Sequence, residues 1–143
     1  MPYVTQAQLE TRFGADLLIK RTDRTNTPKT TIDTSVVAAA IADAESRVDG
    51  YLGKVYALPL SVVPPILTRV AGDIAMYYLM GDTAEKDGSW DRAYREAMAW
   101  LVDVSKGLVQ VDEEGIAPAQ TGGGAVRTTP GDRVFTRDSL RGM

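Results

Sequence analysis

The stretch Ser35–Leu52, SVVAAAIADAESRVDGYL, decides the fold. At about 100° per residue, Val37, Ile41, Ala44, Val48, Tyr51 and Leu52 fall on one face, and Asp43, Ser46 and Asp49 on the other. That is the period of a helix with one side against a core, and Asp33 or Thr34 is placed to cap it. Gly53 follows where a left-handed residue commonly ends a helix, a conformation glycine adopts without steric strain. The character of the chain then changes. Tyr56–Pro65, YALPLSVVPP, has no helical period, and Pro59, Pro64 and Pro65 hold it near extended geometry. Its apolar content predicts a segment lying across a bundle. Pro65 suits the first turn of a following helix, where its missing N–H leaves no bond unmade.

Outward from this stretch the helical period returns on both sides. Ile66–Met80 reads as a helix with Ile66, Val70, Ile74 and Tyr77 at the centre of its stripe and Leu67, Ala71 and Tyr78 beside them. Arg69 and Asp73, four apart, read as an edge ion pair. Gly81–Gly88 is a polar link. Trp90–Lys106 is helical, with Trp90, Tyr94, Ala97, Leu101 and Val104 on the stripe, Arg92, Arg95, Glu96 and Asp103 opposite, and Gly107 at its end. The spacing of Trp90, Tyr94 and Trp100 fits core packing better than a base-stacking platform. Toward the N-terminus, Thr5–Thr22 is helical, opened by a Thr5/Gln8 capping box and interrupted by Gly14, giving two short helices or one kinked one. Asp23–Asp33 is a polar surface loop without the acidic ladder of a calcium loop. Leu108–Val111 is a short strand or a last packing element. The fold class is all-α: a compact four- to five-helix bundle with a Pro-rich crossing segment and an extended C-terminal arm.

The bundle is expected to occupy residues 1–115 and the arm residues 116–143. The arm is rich in Gly, Pro and Thr, and its large apolar residues are Ile116, Val126, Val134, Phe135, Leu140 and Met143. Fixing such a segment opposes folding by about 1–2 kcal/mol per residue, more than six scattered side chains offset. The arm is therefore disordered or ordered by another chain, and the expectation is an extended arm ordered by a partner. Arg133-Val134-Phe135-Thr136-Arg137 alternates enough to add as a strand to a neighbour's sheet edge.

Composition narrows the chemistry. The 143 residues contain no cysteine and no histidine. Disulfides, thiolate metal sites, cysteine nucleophiles and every Ser-His-Asp arrangement are excluded together. No apolar run is long enough to span a membrane, and Met1–Glu10 lacks the pattern of a secretory signal. Residues 1–115 carry twelve Lys/Arg against seventeen Asp/Glu, a net of −5, whereas residues 116–143 carry four Arg against two Asp, a net of +2. An acidic body disfavours gripping DNA, because duplex affinity comes mainly from neutralised phosphates. Gly122-Gly123-Gly124 has no following Lys-Ser/Thr and so is no phosphate loop.

Taken in order, several segments resemble one family. Val48-Asp49-Gly50-Tyr51-Leu52, Tyr56-Ala57-Leu58-Pro59-Leu60 and Val63-Pro64 look like the mid-section of the Mu-type prophage neck proteins, small head–tail connector (head-completion) adaptors of tailed phages. Asp73-Ile74-Ala75-Met76-Tyr77 and Tyr94-Arg95-Glu96-Ala97-Met98-Ala99-Trp100-Leu101 continue the match, as do Tyr3-Val4-Thr5, Arg12-Phe13-Gly14 and Thr22-Asp23-Arg24. The resemblance covers residues 3–111 and rests on order and spacing rather than on one motif. It departs at Lys54-Val55, where Arg is expected directly before Tyr56.

The resemblance implies a virion-neck protein, assembled in the host bacterial cytoplasm, that forms a ring of about twelve copies beneath the portal. Such a ring extends the DNA channel and docks the next neck or tail component. The implied partners are the portal protein, a tail-side neck protein and further copies of the chain. DNA passes through without sequence-specific binding. No cofactor, metal, membrane or catalytic residue is implied. The Asp23–Asp33 loop and the Pro-rich crossing are candidates for the contacts between proteins. In related connectors a C-terminal segment engages the portal, which implies a contact through Arg127, Arg133, Val134, Phe135, Arg137, Leu140 and Arg141. Two alternatives remain open: a small nucleic-acid-binding protein using the Arg-containing arm, and a small enzyme relying on Asp73, Tyr77 or Lys54.

Overall fold

Thr5 opens the first helix, α1 (Gln6–Phe13), through the expected reciprocal capping box with Gln8. The computed structural model describes residues 2–111; Met1 and residues 112–143 lie outside the description, and with them every expectation placed on the arm. Gly14, at φ +88°, separates α1 from α2 (Ala15–Thr22), so the N-terminal segment is two short helices. α3 (Thr34–Leu52) begins at Asp33, whose carboxylate accepts hydrogen bonds from the backbone N–H groups of Ser35 and Val36. After the crossing come α4 (Pro65–Met80), one 3₁₀ turn (Gly81–Thr83) and α5 (Ser89–Ser105). The chain is all-α, as its periodicity indicates, and its described residues hold no β-strand.

α4 is the central element. It packs against α3 and α5, which also touch each other, while α1 and α2 lie against α3, and α2 also against α4. This surrounding explains a difference from the expected stripe. Leu67, Val70, Ala71, Gly72, Ile74, Ala75, Met76 and Met80 are all buried, a face much wider than one stripe. Its centre is rotated away from Ile66, which is 39% exposed, and Tyr77 and Tyr78 are half-buried. On α3, Val37, Ala40, Ala44, Val48 and Leu52 are buried, with Ile41 and Tyr51 packed at the edge of the core. On α5, Ala97, Leu101 and Val104 face inward. Each fully buried Leu or Ile contributes about 1.5–3 kcal/mol through removal of its apolar surface from water.

Gly53 departs from the expected left-handed ending: its φ is −60°. Its N–H bonds back to Asp49 O, and a Cβ there would stand 3.1 Å from that oxygen and 3.4 Å from Leu58 Cδ1. The tighter of these neighbours belongs to the last turn of α3 itself, and the crossing reaches the position only through the end of the Leu58 side chain. Gly107 does adopt the left-handed conformation, at φ +73°, and ends α5 with the Leu108 N–H on Asp103 O. The chain from Leu108 to Val111 is a packing element: Val111 is buried, and its N–H donates to the Tyr56 hydroxyl at 2.8 Å.

Candidate functional site

The bundle has two chemically different ends. α3 runs about 28 Å from the Asp23–Asp33 loop at its start to the crossing at its finish. At the crossing end, Tyr56, Leu60 and Pro64 point into the core, so the segment lies across the bundle as its apolar content predicts. Leu58, Val62 and Ile66 are instead exposed, and Leu108, just past α5, is exposed as well. These are the large apolar side chains that the described residues show to solvent. Beside them opens a groove of about 540 Å³, lined by Leu58, Pro59 and Val63 of the crossing and by Tyr3, Glu45 and Asp49.

The acidic part of this lining is arranged by Tyr3. Its backbone N–H donates to Glu45 Oε1 at 2.9 Å, and its hydroxyl donates to Asp49 Oδ1. Burial, then the Asp49 carboxylate, push the Tyr3 hydroxyl well above the usual tyrosine range. Glu45 and Asp49 lie one turn apart on α3 and form no ion pair among the described residues.

The opposite end is a polar loop built around a carboxylate. Asp23 is 2% exposed. It accepts backbone N–H bonds from Thr25, Asn26, Thr30 and Thr31 at 3.0–3.1 Å, and the Asn26 side-chain amide at 2.9 Å. The Asn26 amide, its backbone N–H and that of Thr30 hold this carboxyl far below the usual aspartate range. Thr22 ties the loop to the helices: its hydroxyl donates to Leu18 O and accepts the Asp33 N–H. The surface of the loop is polar, but its organising residue is interior. The short-range Asp23-x-Thr25-Asn26 pattern is the sequence signal for this, since aspartate at the head of a turn bonds the N–H groups two and three residues on.

Other polar side chains join helices to one another. Arg12 Nη2 donates to Asp73 Oδ1 at 2.8 Å, and Arg12 Nη1 donates to Arg69 O, linking α1 to α4. The anticipated Arg69–Asp73 pair exists but is longer, at 4.0 Å. Burial raises the Asp73 carboxyl, with Arg12 acting against it. Arg47 donates to the hydroxyls of Tyr78 and Tyr94 at 3.3 and 3.4 Å. Tyr94 stacks on Tyr77 with ring centres 4.2 Å apart, and Trp90 packs against Phe13 at 5.6 Å. Two of the three aromatics weighed as a stacking platform are thus engaged with other rings. The residues weighed for catalysis are each held by a different neighbour: Asp73 by Arg12, Tyr77 by Tyr94, and Lys54 over the Tyr51 ring at 5.7 Å. Among the described residues no acidic group of three or more is placed to hold a metal ion. The residues expected to touch a portal, Arg127, Arg133, Val134, Phe135, Arg137, Leu140 and Arg141, lie outside the described residues.

These features define a small all-α bundle protein with a polar loop displayed at one end and an apolar, acidic groove at the other. Its sequence relatives give the family. The family described as "Bacteriophage Mu, Gp36" matches residues 3–128, and the chain belongs to it. It is 32% identical to "Gene product J" of Escherichia phage Mu over 128 residues, covering 89% of this chain and 86% of that one. It is 31% identical to "Mu-like prophage FluMu protein gp36" of Haemophilus influenzae over 119 residues, 78% of each. The match runs 17 positions past Val111, from residue 112 to residue 128, and so includes the start of the arm. No described helix is long and apolar enough to cross a membrane.

Proposed function

We propose that this chain is a structural head–tail connector of a tailed, Mu-type phage. Copies of it form a ring of about twelve beneath the portal, extend the DNA channel and dock the next neck or tail component. The observation that carries this reading is the family match across residues 3–128, which takes in the whole bundle rather than a fragment of it. The fold supports it in one respect. Arg12 and Arg47 each tie one helix to another, which suits a rigid adaptor.

In this reading the portal lies on one side of the ring and a tail-side neck protein on the other. The Asp23–Asp33 loop and the crossing supply contacts between proteins, and residues 127–141 of the arm reach the portal. A ring contact is heterologous, so the two surfaces that meet must differ, as the two ends of this bundle do. The acidic body lets DNA pass without being gripped.

Quantitative mass spectrometry of purified particles tests the proposal. The expected copy number is close to that of the portal protein, about a dozen per virion. Absence from mature particles would overturn it.

A further inference from the structure

We propose that the free subunit holds its own Arg133–Arg137 segment in the groove at the crossing end, keeping the arm there until assembly offers it another partner. The groove has the chemistry of a receptor for a basic, apolar peptide. Leu58, Pro59 and Val63 give it an apolar lining, and Leu58 is exposed. In the same lining, Tyr3 occupies one position on each of Glu45 and Asp49. A carboxylate accepts more bonds than one, so both retain capacity for a guanidinium.

The occupant is chosen by charge, pattern and reach. Residues 116–143 are net +2 on a body of −5. In an extended Arg133-Val134-Phe135-Thr136-Arg137, the two arginines and Phe135 share one side, which presents an aromatic ring between two cations. Val111 is fastened to the Tyr56 hydroxyl, in the same crossing that walls the groove. The chain therefore leaves the bundle at this end. The 21 residues from Asp112 to Asp132 span up to about 70 Å, ample for a return to the groove. A segment tethered in this way meets its receptor at an effective concentration in the millimolar range. The consequence for assembly rests on the portal reading above: arginines held in the groove are withheld from the portal until the subunit is in place.

The chain has no cysteine, so Thr136→Cys in the full-length protein takes a single nitroxide label. The expected result is that the amide NMR signals of Tyr3, Glu45 and Leu58 lose most of their intensity, that the loss is unchanged on dilution, and that Glu45→Gln/Asp49→Asn abolishes it while the spectrum stays dispersed. No loss at these residues overturns the proposal. So does a loss seen only in isotope-labelled molecules mixed with spin-labelled ones, since that places the arm on a second copy. Capture of full-length Arg133→Ala/Arg137→Ala by isolated portal is read separately. Undiminished capture of that variant, with the groove signals broadened in the spin-labelled chain that keeps both arginines, removes the portal contact of these arginines and leaves the groove contact standing.

Discussion

Asp23 shows how a single side chain turns a polar segment into a defined shape. Four backbone N–H groups and one amide converge on its carboxylate, in a loop whose other residues from Arg24 to Thr31 face solvent. Because these bonds hold the folded carboxyl far below its unfolded value of about 4, their stabilisation is fully present above that pH and is lost as the pH falls below it. Asp23→Ala therefore lowers the melting temperature by several degrees near neutral pH, and the gap to the wild type narrows on acidification. Circular dichroism melts of both proteins at about pH 7 and about pH 3 check this. Asp73 acts in the opposite sense, since burial raises its carboxyl and its charged form is the disfavoured one. The difference between wild type and Asp23→Ala isolates the loop from that background.

Helix boundaries and their glycines separate what the sequence could show from what it could not. Gly50 lies within α3 with nothing within 4 Å of an added Cβ, so Gly50→Ala stabilises by about 0.4–1 kcal/mol. Gly107 has equal space but a φ of +73°, and Gly107→Ala destabilises by about 1–2 kcal/mol. Chemical denaturation of the two variants gives shifts of opposite sign. Gly14 and Gly107 were readable as breaks because the helical period stops beside them. Gly53 looked the same in sequence, yet it keeps a right-handed backbone at φ −60° as the chain turns into the crossing. A similar limit applies to α4. Its period was clear, but the packing of several elements around one helix moved the centre of the buried face off Ile66. Leu101→Ala, in the fully buried part of α5, is expected to cost about 2–5 kcal/mol. Ile66→Ala, at a position 39% exposed, is expected to cost clearly less than Leu101→Ala in the same denaturation assay.

At the scale of the whole molecule, the described core and the proposed portal contact belong to different parts of the chain. The order of helices and the crossing were legible because apolar period and proline placement are local properties. The groove was not, because Tyr3 meets Glu45 and Asp49 across more than forty residues of sequence and no local pattern announces that pairing. The described core closes with Val111, and each of its helices finds its packing within residues 2–111. Deleting residues 116–143 therefore removes none of these buried contacts, and the truncated protein should keep its helical spectrum and a cooperative melt close to that of the full chain. On the proposed portal reading it should also lose attachment to portals, because the deletion takes away Arg127, Arg133, Arg137 and Arg141 together. Circular dichroism and portal pull-down on the same preparation separate the two effects. A truncated protein that melts normally and still binds at full strength would move the portal contact from the arm to the bundle, with the Asp23–Asp33 loop and the crossing as the surfaces to mutate next.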